Sequence, residues 1–91
     1  MPASFTDNTR KSRFEYAVND SIAFANYRRE GSTLYIDRVE APPELRGTGA
    51  AGHLMQQIMN FAKSENLKVV PICSYAVAWI AKNNKPPKPA L

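Results

Sequence analysis

The stretch from Pro42 to Ala62, PPELRGTGAAGHLMQQIMNFA, decides the fold. Its paired prolines stop whatever strand precedes them, because proline has no N–H to give to a ladder. A run of small residues from Gly47 to Gly52 then opens straight into an apolar pattern at helical spacing, with Leu54, Ile58, Phe61 and Ala62 on one stripe and Met55 and Met59 beside it. The pattern predicts a helix from about Gly49 to Glu65, with Asn66 as its stop signal. Glycines and no bulky side chain at the mouth of a helix have two readings. A helix that crosses a sheet closely needs small residues for packing. A bound anion needs them too, because phosphate oxygens must reach backbone N–H groups that have no partner inside the helix.

Upstream, the period is two. RFEYAV (13–18) alternates, with Phe14, Tyr16 and Val18 on one face and Arg13 and Glu15 on the other. SIAFANYRR (21–29) and TLYIDRVEA (33–41) carry the β-branched and aromatic content of strands. Turns at Asn19-Asp20 and Glu30-Gly31-Ser32 are short enough to join the strands as an antiparallel meander. Downstream, LKVVPICSY (67–75) reads as a fourth strand whose continuous apolar run predicts burial on both faces. A short helix from about Ala76 to Lys82 follows, turning Trp79 and Ile80 inward. The order β-β-β-α-β-α predicts an α+β fold, with helices on a mostly antiparallel sheet. Residues 13–82 form one domain. Residues 1–12 are polar and expected to be loose, and the Pro- and Lys-rich segment 83–91 is expected to be an extended tail.

At 91 residues the core must be small. The net charge of +4 suits an anionic partner such as a nucleotide, a phosphate-bearing cofactor or nucleic acid. The single cysteine, Cys73, excludes an internal disulfide, and the chain has neither a bilayer-length apolar run nor a hydrophobic leader. A soluble cytoplasmic protein is expected, with no membrane partner and no metal. Nucleic acid is not the expected partner, because the basic residues are dispersed and no aromatic–basic signature or zinc spacing is present.

On the anion reading, Gly47, Gly49, Ala50, Ala51 and Gly52 clear space at the helix start. Thr48 contributes a hydroxyl, and Arg46 at the entrance supplies a guanidinium for a two-pronged phosphate contact. No Lys-Ser or Lys-Thr follows the last glycine, which excludes the NTPase P-loop. The turn follows a meander instead of the first strand of a βαβ unit, which argues against a dinucleotide site.

RGTGAA, read as Arg46, Gly49 and Ala51, resembles the Arg/Gln-x-x-Gly-x-Gly/Ala pyrophosphate signature of the GNAT N-acetyltransferase superfamily. The blocks APPELRGTGAAGHLM (41–55) and KVVPICSYAVAWI (68–80) are similar to its minimal single-domain, "YjdJ-like" members over nearly all of 13–80. The resemblance implies a truncated GNAT-like fold that takes acetyl-CoA and passes the acetyl group to an amine acceptor, a small amine or a protein N-terminus or lysine. It also implies that Val39, Glu40 and Ala41 offer backbone groups to the pantetheine arm, in a gap closed on its other side by VVPICSY. The cysteine matching Cys73 is a suspected active-site residue of the minimal family, and Tyr75 falls where larger members place a general acid.

The residues themselves leave alternatives open. Cys73 reads either as a nucleophile or as a small core residue, and nothing in the sequence stabilises its thiolate, which favours direct attack by the amine. Tyr75 reads as an acid or as an aromatic cap on the core. Many relatives carry a histidine in the third strand, where this chain has Arg38, and arginine cannot act as a base. Glu40 is the substitute base or a solvated strand charge. His53, flanked at helical spacing by small and polar residues, reads as an exposed helix residue. The missing histidine also admits a non-catalytic acetyl-CoA binder, and a fold kept only as an interaction module is a third possibility. The lysines of the tail, Lys82, Lys85 and Lys88, would only screen the nucleotide end of the cofactor weakly.

Overall fold

The computed structural model describes residues 3–83. Its elements run β1 (Ser4–Asn8), β2 (Arg13–Val18), β3 (Ser21–Glu30), β4 (Thr33–Glu40), α1 (Ala50–Ser64), β5 (Lys68–Pro71) and α2 (Ser74–Asn83), with a 3-10 turn at Pro43–Leu45. The five strands lie in one sheet in chain order. β1 to β4 form the antiparallel meander, and β5 joins β4 in parallel after the α1 crossover. Asn19 takes the positive φ of 55° that its turn requires, and Asn66 takes φ 57° just past α1. There the Leu67 and Asn66 N–H groups bond back to the Ala62 and Lys63 carbonyls, closing the helix as its stop signal predicts.

Three expectations are corrected. The first twelve residues were expected to be loose, yet β1 pairs with β2 over its whole length, from Ser4↔Ala17 to Asn8↔Arg13. Phe5 stacks on Phe14, with ring centroids 5.6 Å apart, and the Tyr27 hydroxyl donates to Asp7 at 2.7 Å. Burial, and that hydrogen bond to Asp7, push the Tyr27 hydroxyl up to about 12. The meander thus has four strands, not three. The fourth predicted strand was expected to be central, but β5 is the edge of the sheet and its valines are only half-buried. It also stops at Pro71 instead of Tyr75, and α2 begins at Ser74 instead of Ala76. The Ile72 and Cys73 N–H groups both turn onto the Ile36 carbonyl, at 2.9 and 3.1 Å, which takes the chain off the ladder. Residues 84–91 of the expected tail lie outside the described residues.

Both helices share one core. Phe14, Leu34, Ile36, Leu54, Met55 and Ile58 are fully buried, and Ala76 of α2 joins them, with Trp79 and Ile80 packed alongside. On β3 the core-facing positions are the small Ala23 and Ala25, then Tyr27. Ile22 is 41% exposed, and the Arg13 guanidinium sits 4.7 Å from the centre of the Phe24 ring.

β4 changes phase halfway along. Tyr27 pairs with Ile36 but Asn26 with Arg38, which leaves Asp37 without a partner. The extra residue is a bulge. Before it Leu34 and Ile36 face the core, and after it Val39 and Ala41 do. Arg28 grips the bulged Asp37 with two contacts, Nε to Oδ2 at 2.9 Å and Nη2 to Oδ1 at 3.1 Å.

Because β1 covers Phe14 and satisfies the Tyr27 hydroxyl, Phe5→Ala is expected to cost about 1–2 kcal/mol, the scale for a half-buried aromatic. Denaturant unfolding checks this: a loose N-terminus would give no change.

Candidate active site

The Gly47–Gly52 turn is built by its backbone. Gly47 (φ 81°) and Gly49 (φ 86°) both stand in the left-handed region, where a side chain is strained. Thr48 is spent within the turn. Its hydroxyl donates to the Leu45 carbonyl at 2.5 Å and accepts from the Ala50 N–H at 3.2 Å, so its hydrogen is engaged within the turn. Gly49 caps α1 without a side chain. The N–H groups of Ala51 and Gly52, in the first turn of α1, have no acceptor within the helix and face no capping group.

Above them lies a cavity of about 260 Å³, walled by Ala41 and Leu45, by the turn from Arg46 to Gly52, and by Tyr75. The Arg46 side chain is exposed, and its Nε donates to the Ala41 carbonyl at 3.2 Å, tying the entrance of the turn to the end of β4. Gly52 answers the packing question instead: a methyl group there would meet Trp79 Nε1 at 3.4 Å and the Tyr75 hydroxyl at 4.0 Å. The packing reading therefore holds at Gly52, while the space over the Ala51 and Gly52 N–H groups is open. A larger cavity, about 590 Å³, lies between α1 and β5 against Met59, Leu67, Val69 and Ile80, away from the glycine turn.

Cys73 sits in an arrangement that the sequence did not reveal. It precedes Ser74, and the Val77 N–H bonds to its carbonyl at 2.9 Å, so it is the N-cap of α2. The thiol takes the place that a serine hydroxyl takes in an ordinary cap. Burial pushes the Cys73 thiol up, but backbone N–H groups of Ala76, Val39 and Tyr75 and the nearby Arg38 charge outweigh it and bring it below its ordinary value. The thiolate therefore is stabilised, by a helix start that a strand reading of VVPICSY had hidden. Arg38, set aside as unable to act as a base, acts here through its charge.

The sheet opens at the same point. β5 pairs with β4 only as far as Ile36↔Pro71, whereas β3 follows β4 to Glu40. Among the described residues the Asp37–Glu40 segment thus has no strand on its β5 side, and Cys73 lies there, with the Val39 N–H turned to its sulfur. The remaining expected residues divide. Tyr75 is 39% exposed and walls the glycine cavity, so it is no core cap, and burial of its hydroxyl raises its pKa. Glu40 forms an ion pair with Arg38. His53 is exposed on α1, as expected. Among the described residues no cluster of His, Cys, Asp or Glu is suited to a metal, and no helix is long and apolar enough to cross a membrane.

Solved structures share this architecture. A predicted acetyltransferase from Clostridium acetobutylicum, solved with acetyl-CoA, is similar over 93% of this chain with a TM-score of 0.56 and 16% identity. An acetyltransferase from Trypanosoma brucei is similar over 91%, with a TM-score of 0.58 and 13% identity. This chain spans 65% and 68% of their respective lengths. No curated protein matches it in sequence. The family model described as GCN5-related N-acetyl-transferase matches residues 13–87, which include the bulged strand, the glycine turn and the capped cysteine, and the chain belongs to that family.

Proposed function

We propose that the chain binds acetyl-CoA and transfers its acetyl group to an amine by direct attack. One observation carries the reading: β4 links an anion cradle to a stabilised thiol. Ala41 walls the glycine cavity, and the Val39 N–H reaches Cys73. Two residues of extended chain, about 7 Å, separate those contacts. The cradle fits a pyrophosphate. Its free N–H groups at Ala51 and Gly52 and the Arg46 guanidinium match phosphate oxygens, and a side chain at Ala51 larger than methyl would fill the space. The acetyl-CoA found in the Clostridium acetobutylicum structure supports the same ligand.

When bound, acetyl-CoA supplies an activated thioester carbonyl. The chain's own groups do the rest. The open Asp37–Glu40 edge orients the pantetheine arm, and the gap admits the amine. The Cys73 thiolate takes the proton of the attacking amine as the C–N bond forms and the thioester C–S bond breaks. A thiol held below its ordinary value suits that task. The Tyr75 hydroxyl, kept protonated by its raised pKa, donates to the departing sulfur. Glu40, engaged by Arg38, steadies the charge beside the thiol instead of serving as the base.

The same stabilised thiolate favours a second reading, in which Cys73 attacks the thioester, carries the acetyl group and yields it to the amine. Incubation with acetyl-CoA and no acceptor separates the two. Direct attack leaves Cys73 unmodified by mass spectrometry, whereas an acetyl-Cys73 that forms and decays as fast as turnover establishes the covalent route. Acetyl-CoA binding without turnover on any amine would make the chain a binder only.

Ala51→Asp places a carboxylate on the cradle at a position that favours negative charge for the helix itself. Calorimetry should show acetyl-CoA affinity falling at least about tenfold, with thermal stability unchanged or slightly raised. Wild-type affinity would contradict the cradle. Gly49→Val is a poorer test, since φ 86° strains any branched residue whether or not a ligand binds.

The Cys73 pKa gives a further expectation. Alkylation by iodoacetamide should reach half its maximal rate below pH 9.0, the ordinary thiol value. Folding stabilises the thiolate, so the stability it contributes is fully present above the unfolded pKa and disappears as pH falls through the lowered folded pKa. Cys73→Ser should remove that pH dependence from thermal unfolding, and a midpoint at or above pH 9.0 would refute the N-cap account.

A further inference from the structure

Ile36 and Val39 both face the core, although they stand three positions apart on β4. In an unbroken strand such residues face opposite ways. The same parity governs the backbone. The Ile36 carbonyl points to the β5 side, where the Ile72 and Cys73 N–H groups reach it. The N–H and C=O of one strand residue share a side and the sides alternate along the chain, so an unbroken β4 would turn the Val39 N–H toward β3. The extra residue, Asp37, reverses this and sends the Val39 N–H to the Cys73 sulfur.

A bulged residue has no ladder partner to hold it. Here the hold comes from the neighbouring strand. Arg28 of β3 stands opposite Tyr35, with its guanidinium 4.7 Å from the centre of that ring. From there it reaches diagonally to both carboxylate oxygens of Asp37, at 2.9 and 3.1 Å. Tyr35 lies between the core-facing Leu34 and Ile36, so this cluster is on the sheet face away from α1 and α2. An exposed ion pair ordinarily contributes little. This one has two parallel contacts and a guanidinium already seated on a ring, which is the geometry that does hold a position.

We infer that Arg28 is a positioning residue for the Cys73 site, acting from the opposite face of the sheet, through Asp37, to aim the Val39 N–H across the gap. The inference rests on the transfer reading above and adds to it a pair that touches neither the thiol nor the glycine cradle. The groups that face the thiol itself are the Ala76 and Tyr75 N–H groups of α2, the Val39 N–H, and the charge of Arg38, which is paired with Glu40.

Two substitutions separate positioning from charge. Arg28→Ala removes a positive charge and Asp37→Ala a negative one, so charge alone would move the Cys73 thiol up in the first and down in the second. Loss of aim moves it up in both. The pH of half-maximal alkylation by iodoacetamide, measured on the full chain, is therefore expected to rise toward 9.0 in each variant. The double variant should rise no further than either one, because the two residues act as a unit. The kcat for acetyl transfer should fall about tenfold, the scale of one hydrogen bond to a charged group, with acetyl-CoA affinity unchanged because the cradle N–H groups belong to α1. Glu30→Ala removes only a 3.9 Å contact of Arg28 away from the bulge and should leave the alkylation midpoint at its wild-type value. Opposite shifts in the two single variants, or no shift in either with the circular dichroism spectrum intact, overturn the clamp and leave the transfer reading standing. Midpoints that rise as expected in a chain that transfers no acetyl group uphold the clamp and overturn the transfer reading instead.

Discussion

β4 keeps both of its neighbours only as far as Ile36. Beyond that residue β3 follows it and β5 does not, and the rest of the site depends on the parting. The cause is local. The Ile72 and Cys73 N–H groups converge on a single carbonyl, that of Ile36, so the register with β4 stops advancing there. The chain then has nowhere to go but into α2. Its first turn opens against the unpaired stretch of β4, so a cysteine at the cap faces Val39. The bulge at Asp37 completes the arrangement, because without the extra residue Val39 and Ala41 would point to the other face of the sheet.

The small-residue turn shows how one run of sequence serves several constraints. Gly47 and Gly49 are required by conformation, Gly52 by the approach of Trp79, and Ala51 by the need for open space above free N–H groups. Thr48 closes the turn on itself and holds Ala50 in place. The turn is therefore held by its own backbone and by Thr48, without help from a side chain outside it.

Much of this was legible in the sequence, and the remainder was hidden for physical reasons. Strands β2 to β4 and helix α1 announce themselves because each buries one face, so apolar residues recur at the matching period. β1 carries only Phe5 to the core, and one aromatic in five residues gives no period to read. β5 misled in the opposite way. Its valines look like a strand buried on both faces, but Ile72 belongs to the turn and is 53% exposed. The glycine turn at the mouth of α1 was legible as a helix start, because both the resemblance and the spacing of the apolar residues after it point there. The stabilising environment of Cys73 was not, since it depends on where α2 begins and on Val39 and Arg38 lying across the gap. Cys-Ser before an apolar run was the available signal: a capping position reads the same for a thiol as for a hydroxyl.

The central claim is that the first turn of α1 is an anion cradle continuous with the gap beside β4. Amide NMR spectra of the full chain, recorded while acetyl-CoA is added, test it most directly. The account predicts the largest shifts at the Ala51 and Gly52 N–H groups, as they gain phosphate acceptors, with accompanying changes at Val39 and Ala41. Shifts concentrated on the opposite face of the sheet, around Phe24 and Tyr35, would contradict it, as would no shift at all in the glycine turn.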